Sequence, residues 1–227
     1  MKLSQLTRAE IVAGGQATSA DKVSYGDKTV QQALDDLNYK AIAINSFTND
    51  VGTVEMGSTV TDVTLSYSFN KTAKSLTLDG TAIDVASTKQ VLTGLTITAN
   101  KTYTLTATDD RDAKATKTTS ISFLNGCYYG VGTVDVDGAD KAFVAGLTKV
   151  LSGSRARTID VTAGEGEFIY YAIPHRLGTP SFTVGGFEGG FSLLKTFDYE
   201  NPAGYTESYD VYKSTNANLG ATKVVIA

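Results

Sequence analysis

The feature that most limits the fold of this chain is a strict alternation of apolar and polar residues at positions 63–70. In "VTLSYSFN", the apolar side chains of Val63, Leu65 and Tyr67 are separated by single threonine or serine residues. A period of two places the apolar side chains on one face of a β-strand, so the segment predicts a strand with one buried face. The chain is therefore predicted to be mainly β.

Composition divides the chain into three zones. Residues 46–125 contain 19 of the 32 threonines, whereas residues 126–227 contain 15 of the 22 glycines. Shifts of this kind mark separate modules. We expect a short N-terminal helical anchor at 1–45, an immunoglobulin-like β-sandwich at 46–125, and a second β-sandwich or jelly-roll-like domain at 126–227.

Two Asp-Gly pairs indicate tight hairpins, because this dipeptide adopts the positive φ angles of a type I′ turn. The first pair, Asp79-Gly80, lies in "SLTLDGTAIDV" and places Leu76 opposite Ile83. The second pair, Asp137-Gly138, predicts another hairpin in the last zone.

The first zone contains the only helical pattern that the sequence suggests. Thr29 and Gln32 have the spacing of a capping box, which starts a helix. Apolar residues then repeat at intervals of four and three, the period of a coiled-coil seam. The predicted oligomerisation residues are Val30, Leu34, Leu37, Ala41 and Ile44. The seam either docks on the chain's own β domain or packs against the same helix in other copies.

Charge and cysteine content exclude several classes of function. A net charge of −4 disfavours nucleic acid as a partner, since phosphate binding requires a basic face. Cys127 is the only cysteine, so an intrachain disulfide is excluded. Arg8 and Glu10 interrupt the N-terminal apolar residues, and we therefore expect neither a signal peptide nor membrane insertion.

Few residue types that carry chemistry are present. His175 is the only histidine, and we expect it on an exposed loop in "IPHRLG" rather than in a nucleophilic triad. It could bind a metal only if three copies of His175 met at the axis of a trimer. The sequence contains acidic residues that could act in pairs to hydrolyse a glycoside, but ordinary surface charges account for these residues better. They are Glu165, Glu167, Glu188, Asp198 and Glu200. We expect no catalytic residue, no metal and no cofactor.

Tyrosines near the C-terminus are the candidates for receptor contacts, because tyrosine offers a large rigid surface with a polar tip. The stretch 199–212 looks rich in loops, and its tyrosines are predicted at the surface. They are Tyr199, Tyr205, Tyr209 and Tyr212. The alternative is that aromatic rings of this zone fill the cores of the sandwich.

Several segments resemble bacteriophage fibre proteins. "VSYGDKTVQQALDDL" resembles a segment that introduces a shaft or domain in tail-fibre and head-fibre proteins. The region from "VEMGSTVTDVTLSYSFN" to "FLNGCYYG" is similar to the immunoglobulin-like module of such proteins, and "FIYYAIPHRLGTPSF" with "YDVYKS" is similar to their C-terminal domains. Together the resemblance covers most of residues 22–227.

The resemblance implies a homotrimeric virion component without a catalytic site, assembled in the host cytoplasm. Residues 1–45 would attach it to a capsid or tail protein, and the distal domain would face a glycan or protein of the host surface. The shaft of long fibres is almost absent, which suggests a short spike. Two other functions stay open at this point: a glycan-degrading depolymerase, and a bacterial surface adhesin or carbohydrate-binding module.

Overall fold

The computed structural model describes residues 19–227, and in this range the chain is mainly β, as predicted. It begins with a turn of 3-10 helix and a two-stranded hairpin, which lead into helix α1. These elements are the turn Ala20–Lys22, β1 (Ser24–Tyr25), β2 (Lys28–Thr29) and α1 (Val30–Leu37).

Two facing sheets form the first sandwich. The larger sheet has the strand order β4-β10-β9-β6-β7, and the smaller has the order β3-β5-β8. In chain order the strands are β3 (Ile44–Asn49), β4 (Thr53–Glu55), β5 (Val63–Phe69), β6 (Ser75–Leu78), β7 (Thr81–Ile83), β8 (Lys89–Leu92), β9 (Lys101–Thr108) and β10 (Lys114–Leu124).

Local sequence patterns account for the core of this sandwich. Val63, Leu65 and Tyr67 are buried on one face of β5, which confirms the predicted alternation. Leu76 pairs with Ile83 across the β6–β7 hairpin, also as predicted. The turn residues Asp79 and Gly80 have φ angles of 48° and 82°, as a type I′ turn requires.

Two further sheets form the second sandwich. One has the order β12-β11-β14-β18-β17, and the other has the order β13-β19-β15-β16. The elements are β11 (Gly126–Gly132), α2 (Lys141–Gly146), β12 (Thr148–Leu151), β13 (Arg157–Ala163), β14 (Phe168–Pro174), a 3-10 turn (His175–Leu177), β15 (Phe182–Val184), β16 (Phe187–Glu188), β17 (Phe191–Glu200), β18 (Thr206–Ser214) and β19 (Gly220–Ile226).

The five-stranded sheet of the second sandwich is buried on both faces. Tyr171 points into the core between the two sheets, whereas its neighbour Tyr170 points into a second core on the opposite face. Helix α2 contributes Val144 to that second core. Both tyrosines are fully buried, so this central strand carries no exposed face at all.

The predicted hairpin at Asp137-Gly138 is wrong. Here the chain turns and then forms α2, whose first N–H groups are capped by the Asp140 side chain: it accepts from the Phe143 N–H at 2.9 Å. An Asp-Gly pair favours a turn, but only pairing of the flanking segments makes that turn a hairpin. The expectation that helix is confined to residues 1–45 is also wrong, because α2 forms at Lys141–Gly146 with Asp140 as its N-cap.

The two sandwiches meet at a joint of one residue. Strand β10 ends at Leu124 and β11 begins at Gly126, so Asn125 alone separates them, and it is buried. Its side-chain amide donates to the Glu207 carboxylate. The Asn201 amide donates to the Met56 carbonyl at 2.7 Å, which ties the second sandwich to the first a second time.

Candidate functional site

The face of α1 is the clearest candidate for an interaction surface. Thr29 and Gln32 form the predicted capping box at its start. The helix then leaves Leu34 45% and Leu37 81% exposed, and no α1 residue is buried within the part of the chain that the structure describes. We call Leu34 and Leu37 the α1 seam. Neither side chain belongs to the core of either sandwich.

The predicted seam is too long. The helix ends at Leu37, where Asn38 caps it by donating its side-chain amide to the Leu34 carbonyl at 2.9 Å. Ala41 therefore lies outside the helix, and Ile44 begins β3 and packs against the first core. Val30, Leu34 and Leu37 are the only predicted seam residues that lie in the helix.

Polar contacts rather than apolar packing attach α1 to the first sandwich. Arg111 donates to the Asp36 carboxylate at 2.6 Å, and Lys28 pairs with the same group. Just beyond the helix, the Tyr39 hydroxyl donates to Asp109 at 2.7 Å. The Lys71 ammonium and the Arg111 guanidinium lie over the Tyr39 ring, 4.5 and 4.4 Å from its centroid.

Asp109 is the centre of this attachment. Its side chain is fully buried and accepts from the Tyr39 hydroxyl and from the Ile42 N–H at 3.1 Å. Lys71 pairs with it at 2.7 Å. The hydrogen bond from Lys71, followed by the one from Tyr39, holds the pKa of Asp109 far below its usual range against the opposing effect of burial.

The predicted receptor-contact tyrosines are mostly core residues. Tyr199 and Tyr209 are 2% and 3% exposed, and they pack with Tyr128 at ring-centroid distances of 5.3 and 5.9 Å. Tyr212 lies in the core between the two sheets. The surface prediction is wrong for these three, because 199–212 forms two long strands of a sheet that is covered on both faces. Tyr205, at 38%, is the exposed one.

His175 lies at the surface, as predicted, but it has a buried partner. Its ring Nδ1 is 2.9 Å from both carboxylate oxygens of Asp210, whose side chain is 5% exposed. The Thr196 hydroxyl donates to the same carboxylate at 2.6 Å. This arrangement orients the imidazole, while 64% of the His175 side chain remains exposed. The sequence gives no local sign of the pair, because 35 residues separate its members.

Two of the five acidic residues proposed as candidates for a hydrolytic pair have structural partners. Glu167 accepts from the Gly164 N–H at 2.8 Å within a turn. Glu200 pairs with Lys141 at 3.4 Å, and Glu188 is exposed in the short strand β16. Among residues 19–227, no three side chains of the types that ligate metal ions form a group.

Comparisons with known proteins are weak. No family model and no curated protein matches the chain. Among solved structures, the immunoglobulin domains of Down Syndrome Cell Adhesion Molecule give a TM-score of 0.24 at 13% identity, covering 80% of this chain and 25% of theirs. Chitinase ChiA74 from Bacillus thuringiensis gives 0.25 at 12% identity, covering 93% of this chain and 32% of its own. These scores support no functional conclusion. Within the described residues, no helix is long and apolar enough to span a membrane.

Proposed function

We propose that this chain is a structural component of a phage virion: a short homotrimeric fibre or spike, attached to the capsid or tail by its N-terminal part. In this proposal α1 holds the copies together, the first sandwich is an immunoglobulin-like carrier, and the second faces the host surface. The observation that supports it is the exposed α1 seam. The resemblance of "VSYGDKTVQQALDDL" to phage fibre segments supports the same assignment.

The energetics of α1 favour a partner. Isolated helices shorter than about 12 residues are marginal in water, and α1 has 8 residues. Burying the exposed parts of Leu34 and Leu37 would contribute about 3 kcal/mol for each copy. When α1 helices from several copies pack side by side in register, the same leucines of each copy meet. Self-association therefore supplies this burial without any change in the sandwiches.

The joint between the sandwiches suits a spike. With Asn125 as the only residue between β10 and β11, a contact made by the second sandwich is carried on a stiff body. Three weak contacts on one such body gain by effective concentration, by a factor of about 100 where the geometry allows simultaneous binding.

The test is the oligomeric state of a seam variant. We expect the double substitution Leu34→Ala and Leu37→Ala to convert the trimer to a monomer in sedimentation-velocity runs on the full chain. A matched control is Val91→Ala with Val225→Ala, which shortens two similarly exposed apolar side chains outside α1. A seam variant that sediments like the wild type would overturn the proposal.

A host-surface assay separates the spike from the two other functions. We expect the trimer to bind host cells without shortening their surface polysaccharide. Release of oligosaccharides would indicate a depolymerase instead. Absence of the protein from purified virions, with cell binding retained, would indicate an adhesin.

A further inference from the structure

The end of the second sandwich that faces the joint carries a concentration of positive charge, although the chain as a whole has a net charge of −4. Arg155 donates from Nη1 to the Leu177 carbonyl at 3.0 Å, which brings it to the 3-10 turn that also carries His175 and Arg176. Arg157 follows two residues later at the start of β13.

Glu207 and Asp210, two carboxylates at this end, already have polar partners. Glu207 accepts from Arg176 Nε at 2.7 Å through one oxygen and from the Asn125 amide through the other. Asp210 accepts from the Thr196 hydroxyl at 2.6 Å and lies against His175.

Arg157 is the residue left without a counter-charge. It shares the inward face of β13 with the buried Ile159 and Ala163, and its Nε is buried with no hydrogen-bond partner. In residues 19–227, no acidic group lies within 4.0 Å of the Arg155 or Arg157 guanidinium. Unpaired buried donors are rare and costly, so this one requires an explanation.

Cys127 gives a second indication that two of these charges, Arg157 and Arg176, lie near one another. Burial raises the pKa of its thiol, and the positive charges of Arg157 and Arg176 both oppose that rise, since both are near the sulfur. The Tyr171 hydroxyl donates to the Arg155 carbonyl at 2.8 Å and so places another polar group at the same end.

We propose that this end of the second sandwich is an oxyanion-binding site, with the Arg157 guanidinium as its principal donor and Arg155 and His175 at its rim. The planar guanidinium fork matches two oxygens of a carboxylate, sulfate or phosphate group, which would supply the missing partner of Nε. The site goes beyond the spike function and does not depend on trimer formation.

The test is calorimetric titration of the full chain with sodium sulfate and, separately, with sodium acetate at constant ionic strength. We expect saturable binding to the wild type and a loss of about tenfold or more in affinity for Arg157→Met, since the charge-assisted pair is removed. Lys223→Met, which removes an exposed positive charge from β19, is the matched control and should bind as the wild type does. Tighter sulfate binding would point to a tetrahedral anion, and tighter acetate binding to a carboxylate.

A second readout guards against a variant that fails to fold. The NMR signal of the Arg157 Nε–H in the wild type should move during the titration and reach a plateau. The proposal is overturned if neither anion binds saturably, if Arg157→Met retains wild-type affinity, or if that signal stays fixed while calorimetry reports saturation.

Discussion

Gly57 fixes the turn of the first sandwich against the second, and Gly57→Ala is the most informative perturbation of the joint. Its φ angle is +94°, where a side chain is strained. A Cβ there would lie 2.8 Å from the Tyr205 Cβ and 3.0 Å from the Ala203 carbonyl oxygen, both of them in the second sandwich. Neither neighbour is the end of a flexible side chain, so the two sandwiches would have to move apart.

The loss in the free energy of unfolding that we expect for Gly57→Ala has two contributions. A positive φ costs an alanine about 1–2 kcal/mol, and overpacking against the Tyr205 segment costs about 1–3 kcal/mol more. Gly52→Ala isolates the first contribution, because Gly52 has a φ of +67° and a Cβ there would meet nothing within 4 Å. We therefore expect Gly57→Ala to be destabilised by about 1–3 kcal/mol beyond Gly52→Ala.

Urea unfolding of both variants measures this difference, and residual dipolar couplings report the relative orientation of the two sandwiches. Unfolding of both variants at the same urea concentration, with the wild-type orientation kept in Gly57→Ala, would contradict this expectation. That result would mean that the turn at Gly57 does not hold the joint.

Two further predictions concern buried polar and aromatic groups. The pKa of Asp109 is depressed in the folded chain, so the stability it contributes is fully present above its unfolded value of about 3.8 and is lost progressively as the pH falls toward the depressed folded value; Asp109→Asn should reduce the difference in melting temperature between neutral pH and about pH 3, and an unchanged difference would contradict this. Tyr199→Ala should cost about 3–5 kcal/mol in chemical denaturation because its ring is buried, whereas Tyr205→Ala should cost less than about 1 kcal/mol; equal losses would contradict the assignment of Tyr199 to the core.

The sequence was sufficient to predict those elements that have one buried face and one exposed face. Alternation at Val63, Leu65 and Tyr67 predicted β5, and Asp79-Gly80 predicted the β6–β7 hairpin with its register. In both places the local pattern and the tertiary environment favour the same structure, so local reasoning succeeds.

Prediction failed where packing outweighed the local pattern. The seam spacing continues to Ala41 and Ile44, but Asn38 caps the helix and Tyr39 is held by Asp109, so the chain leaves the helix early. Tyr199 and Tyr209 belong to a sheet that is covered on both faces, where alternation no longer separates buried from exposed residues. The contact of His175 with Asp210 joins distant positions and has no local signal.

The central claim is that the Leu34 and Leu37 side chains, which residues 19–227 leave exposed, are covered by other copies of the chain. Sedimentation equilibrium of the wild-type full chain, over a wide range of concentrations, tests this most directly. The account predicts one species of three times 23.9 kDa that persists on dilution. A stable single species of 23.9 kDa at every concentration would contradict it.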